Sequence, residues 1–295
     1  MDNRIPFEGI NSIKFNQFFK TENDCIKYIS EIKWEQGYVC KKCKAEKYIK
    51  GKKPFNRRCL KCKYDESPTA GTMFDKVKFS ILIAFHIVFK VVTKKKGMST
   101  LEISREFELR QKTCWEFKWK IQQAMQSSLN NPLEGIIHVD EFFVGGPDEQ
   151  KRGRSKGKKK LVVLALELVG DGVGRAYAEV INHASSIELG AFLRKYVTLE
   201  AKIISDEWPG YSPLKKEFLN LEQIPSKTGK NFGDLHIHVM NIKGWLRGIH
   251  HHCSEKHIQG YLDEYHYRFN RRSYMGTMFD LLIQKMVVNT PKRLE

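Results

Sequence analysis

Two acids stand where acids are costly. The run Ile136-Ile137-His138-Val139-Asp140-Glu141-Phe142-Phe143-Val144, closed by Gly145-Gly146, reads as a buried strand. A carboxylate inside so apolar a run needs a partner or a metal ion. Side chains alternate across a strand, so Asp140 and Glu141 face opposite sides and only one joins a given site. Asp140 is the choice, with Glu141 as its support or competitor. Further on, the short strand 201–205 ends in Asp206, ahead of the turn Trp208-Pro209-Gly210-Tyr211. An acid there can aim at the same point as Asp140, although capping the turn would also explain it. Such a pair suits Mg²⁺ or Mn²⁺, which take oxygen ligands. Two such ions about 4 Å apart activate an attacking oxygen and stabilise a leaving one in phosphoryl transfer.

A second constellation is made of thiols. Cys40-x2-Cys43 and Cys59-x2-Cys62 are separated by 15 residues. Each pair places two thiolates on one turn, and two such turns make a tetrahedral zinc cage. Lysines 41, 42, 44, 61 and 63 favour the deprotonated thiols. A four-sulfur cage leaves no open position, so the expected role of zinc is structural.

These residues need a scaffold. Residues 1–75 carry the cysteines and show no long periodic stretch, and read as a zinc-ribbon domain. Residues 76–132 read as a helical, helix-turn-helix region, with helices over 79–93, from Ser99 through Phe107, and over 111–127. Cys114, Phe117, Ile121 and Met125 are spaced for the inward face of the last helix. Lys112, Lys118 and Lys120 are the candidates for phosphates or base edges there. Residues 133–285 alternate strands and helices, the pattern of an α/β domain, and 286–295 form a tail. Strands over 160–169 and 174–182, a helix over 185–196 and the strand ending at Asp206 give the order β-β-β-α-β, with the acids on the first and fourth strands.

The chain of 295 residues has 51 Lys and Arg against 34 Asp and Glu, a formal charge of +17. So large an excess needs a polyanion, and double-stranded DNA is the leading partner. The run Lys151-Arg152-Gly153-Arg154-Ser155-Lys156-Gly157-Lys158-Lys159-Lys160 joins two strands beside the acids and suits a DNA backbone, unless it is only a solvated loop. His250-His251-His252 with His257, or His236 with His238, suggest phosphate contacts or core packing rather than a further metal site. No export signal and no membrane span is visible, and seven cysteines without an oxidising context argue against a disulfide scaffold. The expected location is cytoplasmic and nucleoid-associated.

Several motifs then occur together. His138 to Gly146, Ser205-Asp206, His238-Val239-Met240-Asn241-Ile242-Lys243-Gly244-Trp245-Leu246-Arg247-Gly248 and the stretch from His251 to Arg272 resemble the IS1595 family, whose core is the ISXO2-like transposase domain. The resemblance implies an RNase H-like core and a cut-and-join DNA transposase with an Asp-Asp-Asn or Asp-Asp-Glu site. Asp140 and Asp206 fit the first two positions. Asn241, 35 residues after Asp206, fits the third, and Lys243 resembles the basic residue accompanying it. A carboxamide oxygen still ligates Mg²⁺ but brings no charge, while Glu255, Asp263 and Glu264 compete for the same role. The family implies terminal inverted repeats and target DNA as partners, and a homodimer or higher oligomer to hold two ends. The rivals are a DNA-binding regulator or inactive descendant, and a nuclease without strand transfer.

Overall fold

Short polar side chains set the helix starts in the first hundred residues. Asn11 caps α1 (Ser12–Phe18), and Thr21 with Asp24 forms a reciprocal capping box on α2 (Glu22–Lys33). The cysteine segment is a small antiparallel sheet, β1 (Tyr48–Lys50), β2 (Arg57–Cys59) and β3 (Asp65–Glu66). Ser80 starts α3 (Ile81–Thr93), Ser99 starts α4 (Thr100–Phe107), and α5 (Gln111–Met125) follows a left-handed Glu108. Helices α1 and α2, of 7 and 12 residues, fall in the stretch expected to lack long periodic runs.

The second half is built on one long apolar strand, β4 (Ile136–Val144). It pairs antiparallel with β5 (Lys160–Val169), which pairs antiparallel with β6 (Gly172–Ile181). After α6 (Ser186–Tyr196), β7 (Lys202–Ser205) returns parallel to β4, and β8 (Leu221–Gln223) adds parallel to β7. The five strands lie in the order β6-β5-β4-β7-β8. Helices α7 (Gly233–Ile249) and α8 (Glu255–Phe269) complete the mixed α/β unit. Alternation along β4 feeds two cores. Ile137 and Val139 pack with Leu189, Phe192 and Leu193 of α6, while Phe142 and Val144 pack with Leu235 and Ile242 of α7 and Leu262 of α8.

The computed structural model describes residues 4–145, 159–250 and 253–291. Lys151, Arg152, Arg154 and Lys158 of the basic run therefore lie outside the described residues, as do His251 and His252. The chain divides into two units, residues 1–125 with 273–295, and residues 126–272. The last helix, α9 (Met278–Val288), belongs to the first unit. Asp280 holds both Arg4 and the Tyr28 hydroxyl, the Met73 N–H donates to the Met286 carbonyl at 2.8 Å, and Phe279 joins the aromatic cluster of Phe7, Phe15, Phe19 and Phe85.

One ion pair ties the entry of β4 to the meander. Glu167 accepts from the Arg175 guanidinium at 2.9 and 3.2 Å, from the Arg175 amide at 3.0 Å and from the Glu134 amide at 3.2 Å. Burial pushes its carboxyl up, but these donors win and hold it below the usual range. A depressed folded-state pKa stabilises at and above the unfolded carboxylate pKa, and the gain is lost as pH falls through the folded value. Glu167→Gln is expected to cost about 1–3 kcal/mol near neutral pH and little below about pH 3. Melts at both pH values check this; an equal loss at both would contradict the charge-based account.

Candidate functional site

Parallel pairing of β4 with β7 places Val139 opposite Ser205. The next residues, Asp140 and Asp206, therefore leave neighbouring strands side by side on one face, at a strand spacing of about 4.8 Å. That face is the one Ile204 and Phe142 share beneath α7 and α8. Asp140 keeps 24% of its side-chain exposure, and its Oδ1 accepts the Glu141 N–H at 2.7 Å. Burial pushes the Asp140 carboxyl above its usual range and the Asp206 charge adds to this, against the Glu141 amide and His236. Asp206 also accepts the Trp208 N–H at 3.0 Å, so it caps the turn as well as facing Asp140. Glu141 points to the opposite core, where the buried Tyr211 hydroxyl donates to it.

The third expected position, Asn241, lies in the middle of α7 with its side chain exposed, and the α7 residue that meets Asp140 is His236. His236 Nε2 stands 3.3 Å from Asp140 Oδ2. Five residues at about 100° each carry Asn241 about 140° round the helix from His236, onto the other flank. Seven residues bring Lys243 back to within about 20° of His236, two turns further along. Lys243 Nζ accordingly lies 5.5 Å from the centre of the Phe142 ring, two residues beyond Asp140 on the same face of β4. Burial, then Arg247 and Lys159, lower the pKa of Lys243, so three cations crowd together there. The signal that could have found His236 is this spacing of seven, once the segment is read as a helix.

A loop supports the imidazole. Gly229 adopts φ +89°, and a Cβ there would come within 2.5 Å of His236 Nδ1. The backbone thus approaches one side of the ring while Nε2 faces Asp140.

The cysteines close more tightly. Lys44 and Lys63, each four residues after the first cysteine of its pair, are left-handed at φ 61° and 60°, and donate backbone N–H bonds to the Cys40 and Cys59 carbonyls. The two knuckles bring Cys40 to 3.5 Å from Cys62 and Cys43 to 3.5 Å from Cys59, near the separation of about 3.8 Å set by tetrahedral bonds of about 2.3 Å. Burial raises the Cys40 thiol, but the Cys43 and Lys42 amides bring it down to about 6. The Tyr64 amide lowers Cys62, yet burial and the neighbouring thiols drive it up to about 12. Four sulfurs this close need a cation to be anionic together. Among the described residues, only these cysteines bring three or more ligand atoms within 4.8 Å of one another. Asp140, Asp206 and His236 are not grouped so closely.

Other expectations fare differently. Cys114, Phe117, Ile121 and Met125 are buried on α5 as expected. Lys118, however, is 2% exposed and donates to the Met98 carbonyl, and Lys120 donates to the Met73 and Asp75 carbonyls at 3.0 Å. Lys118 is thereby buried and Lys120 half-buried on backbone carbonyls, while Lys112 is exposed. Lys160 pairs with Glu255, Glu264 with Arg268, and Asp263 accepts from Gln259, which leaves these acids structural. His238 sits buried against His266, Nε2 to Nε2 at 3.2 Å, and His250 stacks on Tyr261.

Comparison with known proteins adds a match over part of the chain. Residues 132–270 match the ISXO2-like transposase domain, and the chain carries that domain there. It is also 22% identical over 274 residues to a Halobacterium salinarum protein described as an uncharacterized protein in transposable element ISH50, covering 85% of this chain and 91% of that one. Solved structures similar to the chain include the Mos1 strand transfer complex (11% identity, TM-score 0.30, covering 72% of this chain and 79% of that chain). A pre-cleavage Mos1 transpososome is similar too (12% identity, TM-score 0.29, covering 70% and 79%).

The Gly229 contact yields a test. Gly229→Ala is expected to destabilise by about 1–2 kcal/mol through backbone strain, with a further loss from collision with the ring. In a His236→Ala background only the backbone part should remain, so the two substitutions couple in thermal melts. Strict additivity would show that the loop does not seat the imidazole.

Proposed function

We propose that residues 126–272 form the RNase H-like catalytic core of a DNA transposase, which cuts the ends of an insertion sequence and joins them to target DNA. One observation carries the reading: two aspartates leave adjacent parallel strands on one face, with His236 Nε2 3.3 Å from the first. Their oxygens and the imidazole nitrogen are a donor set that fits divalent cations. When bound, such ions supply the charge that activates the attacking oxygen and stabilises the leaving one.

The chain's own residues do the positioning. Asp140 and Asp206 hold the cation site against the scissile phosphodiester, and His236 closes it from the helix side. Lys243, crowded by Arg247 and Lys159, is suited to a phosphate oxygen, because an anion there relieves cation repulsion. Water opens the phosphodiester and leaves a 3′-hydroxyl. That hydroxyl then displaces a target-strand oxygen at the same place, so the bond broken in the target is replaced by the bond formed to the element.

The front unit is assigned to holding DNA. The four cysteines take a structural zinc ion and Lys112 contacts DNA backbone, while in the second unit the basic run ending at Lys159 and Lys160 does the same for the terminal inverted repeats and target. Two ends must be held for joining, so the working form is a homodimer or larger. No helix among the described residues is long and apolar enough to cross a membrane.

Cleavage of end-labelled inverted-repeat DNA tests the assignment. Asp140→Asn, Asp206→Asn and His236→Ala are each expected to lower cleavage by about a thousandfold or more, and Asn241→Ala by only a few-fold. Cleavage that survives loss of Asp140, or collapses with Asn241 while His236→Ala cuts normally, would refute it. The zinc assignment has its own check. Metal analysis should find one zinc per chain, lost in Cys43→Ser together with a lower Tm for the front unit.

A further inference from the structure

The buried Tyr211 hydroxyl has a use that packing does not explain. The ring lies fully buried in the core of Ile137, Val139, Leu189 and Phe218, where a phenylalanine would fill the space with no polar atom to satisfy. Its hydroxyl instead donates to the half-buried Glu141, the residue next to Asp140. Tyr211 itself stands on the 3₁₀ helix Pro209–Lys216, just after Asp206.

A link between the two aspartates is needed at this point. Backbone pairing of β4 with β7 ends at Val139 opposite Ser205, one residue short of each aspartate. Beyond it β5 still holds Asp140, opposite Leu164, while the chain after Asp206 turns away into the 3₁₀ helix. The Glu141 N–H donates to Asp140 Oδ1 at 2.7 Å, and the Glu141 carboxylate accepts from the Tyr211 hydroxyl. The Tyr211 N–H donates to the Trp208 carbonyl at 3.1 Å, and the Trp208 N–H to Asp206 Oδ1 at 3.0 Å. These hydrogen bonds run unbroken from one aspartate to the other by way of the opposite face of the sheet. Gln223, at the end of β8, braces the turn, donating to the Asp206 and Trp208 carbonyls at 3.1 and 2.9 Å.

We propose that Glu141 and Tyr211 are positioning residues, whose hydrogen bond fixes the spacing of the Asp140 and Asp206 carboxylates and so readies the pair for a divalent ion. The proposal rests on the reading of those aspartates as ligands, and it adds the two residues that set them. Without the link each strand keeps its own sheet bonds, but the Asp206 turn is free to drift from Asp140. Ion affinity then falls while the fold remains.

The test is Mn²⁺ binding to the full zinc-loaded chain, read from the electron paramagnetic resonance of the free ion, beside thermal melts. In the parent protein, binding should be lost with Asp140→Asn. Tyr211→Phe and Glu141→Leu should each weaken Mn²⁺ by about tenfold, whereas Glu141→Gln keeps an acceptor for the hydroxyl and should retain most of the affinity. The double variant Glu141→Leu with Tyr211→Phe leaves neither partner stranded, so its Tm should recover towards the parent while its Mn²⁺ affinity stays as low as in the single variants. A merely structural pair would instead recover affinity together with Tm. That recovery, an unchanged affinity in Tyr211→Phe, or a Glu141→Gln protein as weak as Glu141→Leu would overturn the proposal and leave the two-aspartate site standing. Mn²⁺ binding that is absent, or indifferent to Asp140→Asn, would overturn both.

Discussion

The site depends on two like charges being forced together. Parallel pairing of β4 with β7 gives the residues after Val139 and Ser205 no choice but to emerge side by side, and both are aspartates. Two unit charges 4 Å apart repel by about 4 kcal/mol at an effective dielectric of 20. Burial compounds this for Asp140, whose carboxyl is held above its usual range. A fold gains nothing in stability from that arrangement; it makes sense as a socket for positive charge. What surrounds the socket agrees: an imidazole at 3.3 Å, and on the same helix a lysine crowded by other cations.

Elsewhere the same physics is resolved inside the protein. Glu167 meets Arg175, Asp280 meets Arg4 and Tyr28, and Glu66 on the cysteine-bearing sheet, 1% exposed, lies 2.8 Å from Lys33. Lys118 and Lys120 give their protons to backbone carbonyls. These pairs fix elements in place, whereas the two aspartates stand side by side with an imidazole and a backbone amide as their partners. The cysteine cage is the other place where like groups crowd, and there the knuckle geometry brings the thiols to a tetrahedral spacing for a cation.

Much of this was legible in the sequence, because it rests on local patterns. The strand at 136–144 and its partner at 160–169 are long apolar runs that could be little else, and serines at 99 and 185 mark helix starts. The doubled cysteine spacing carries its own geometry. Helix α7 was harder. Its buried positions Leu235, His238, Ile242 and Leu246 are interleaved with glycines and histidines, so the apolar stripe is faint. Read as a helix, the segment puts His236 and Lys243 on one flank and Asn241 on another, and His236 meets Asp140. Burial of Lys118 and Lys120 and the return of α9 to the first unit are decided by contacts between residues far apart in the chain. Local pattern does not encode them.

The most direct test of this site is anomalous diffraction from crystals soaked in Mn²⁺. Anomalous density is expected against the Asp140 and Asp206 carboxylates, on the side of His236. An ion ligated by Asn241, or bound without either aspartate, would contradict the account.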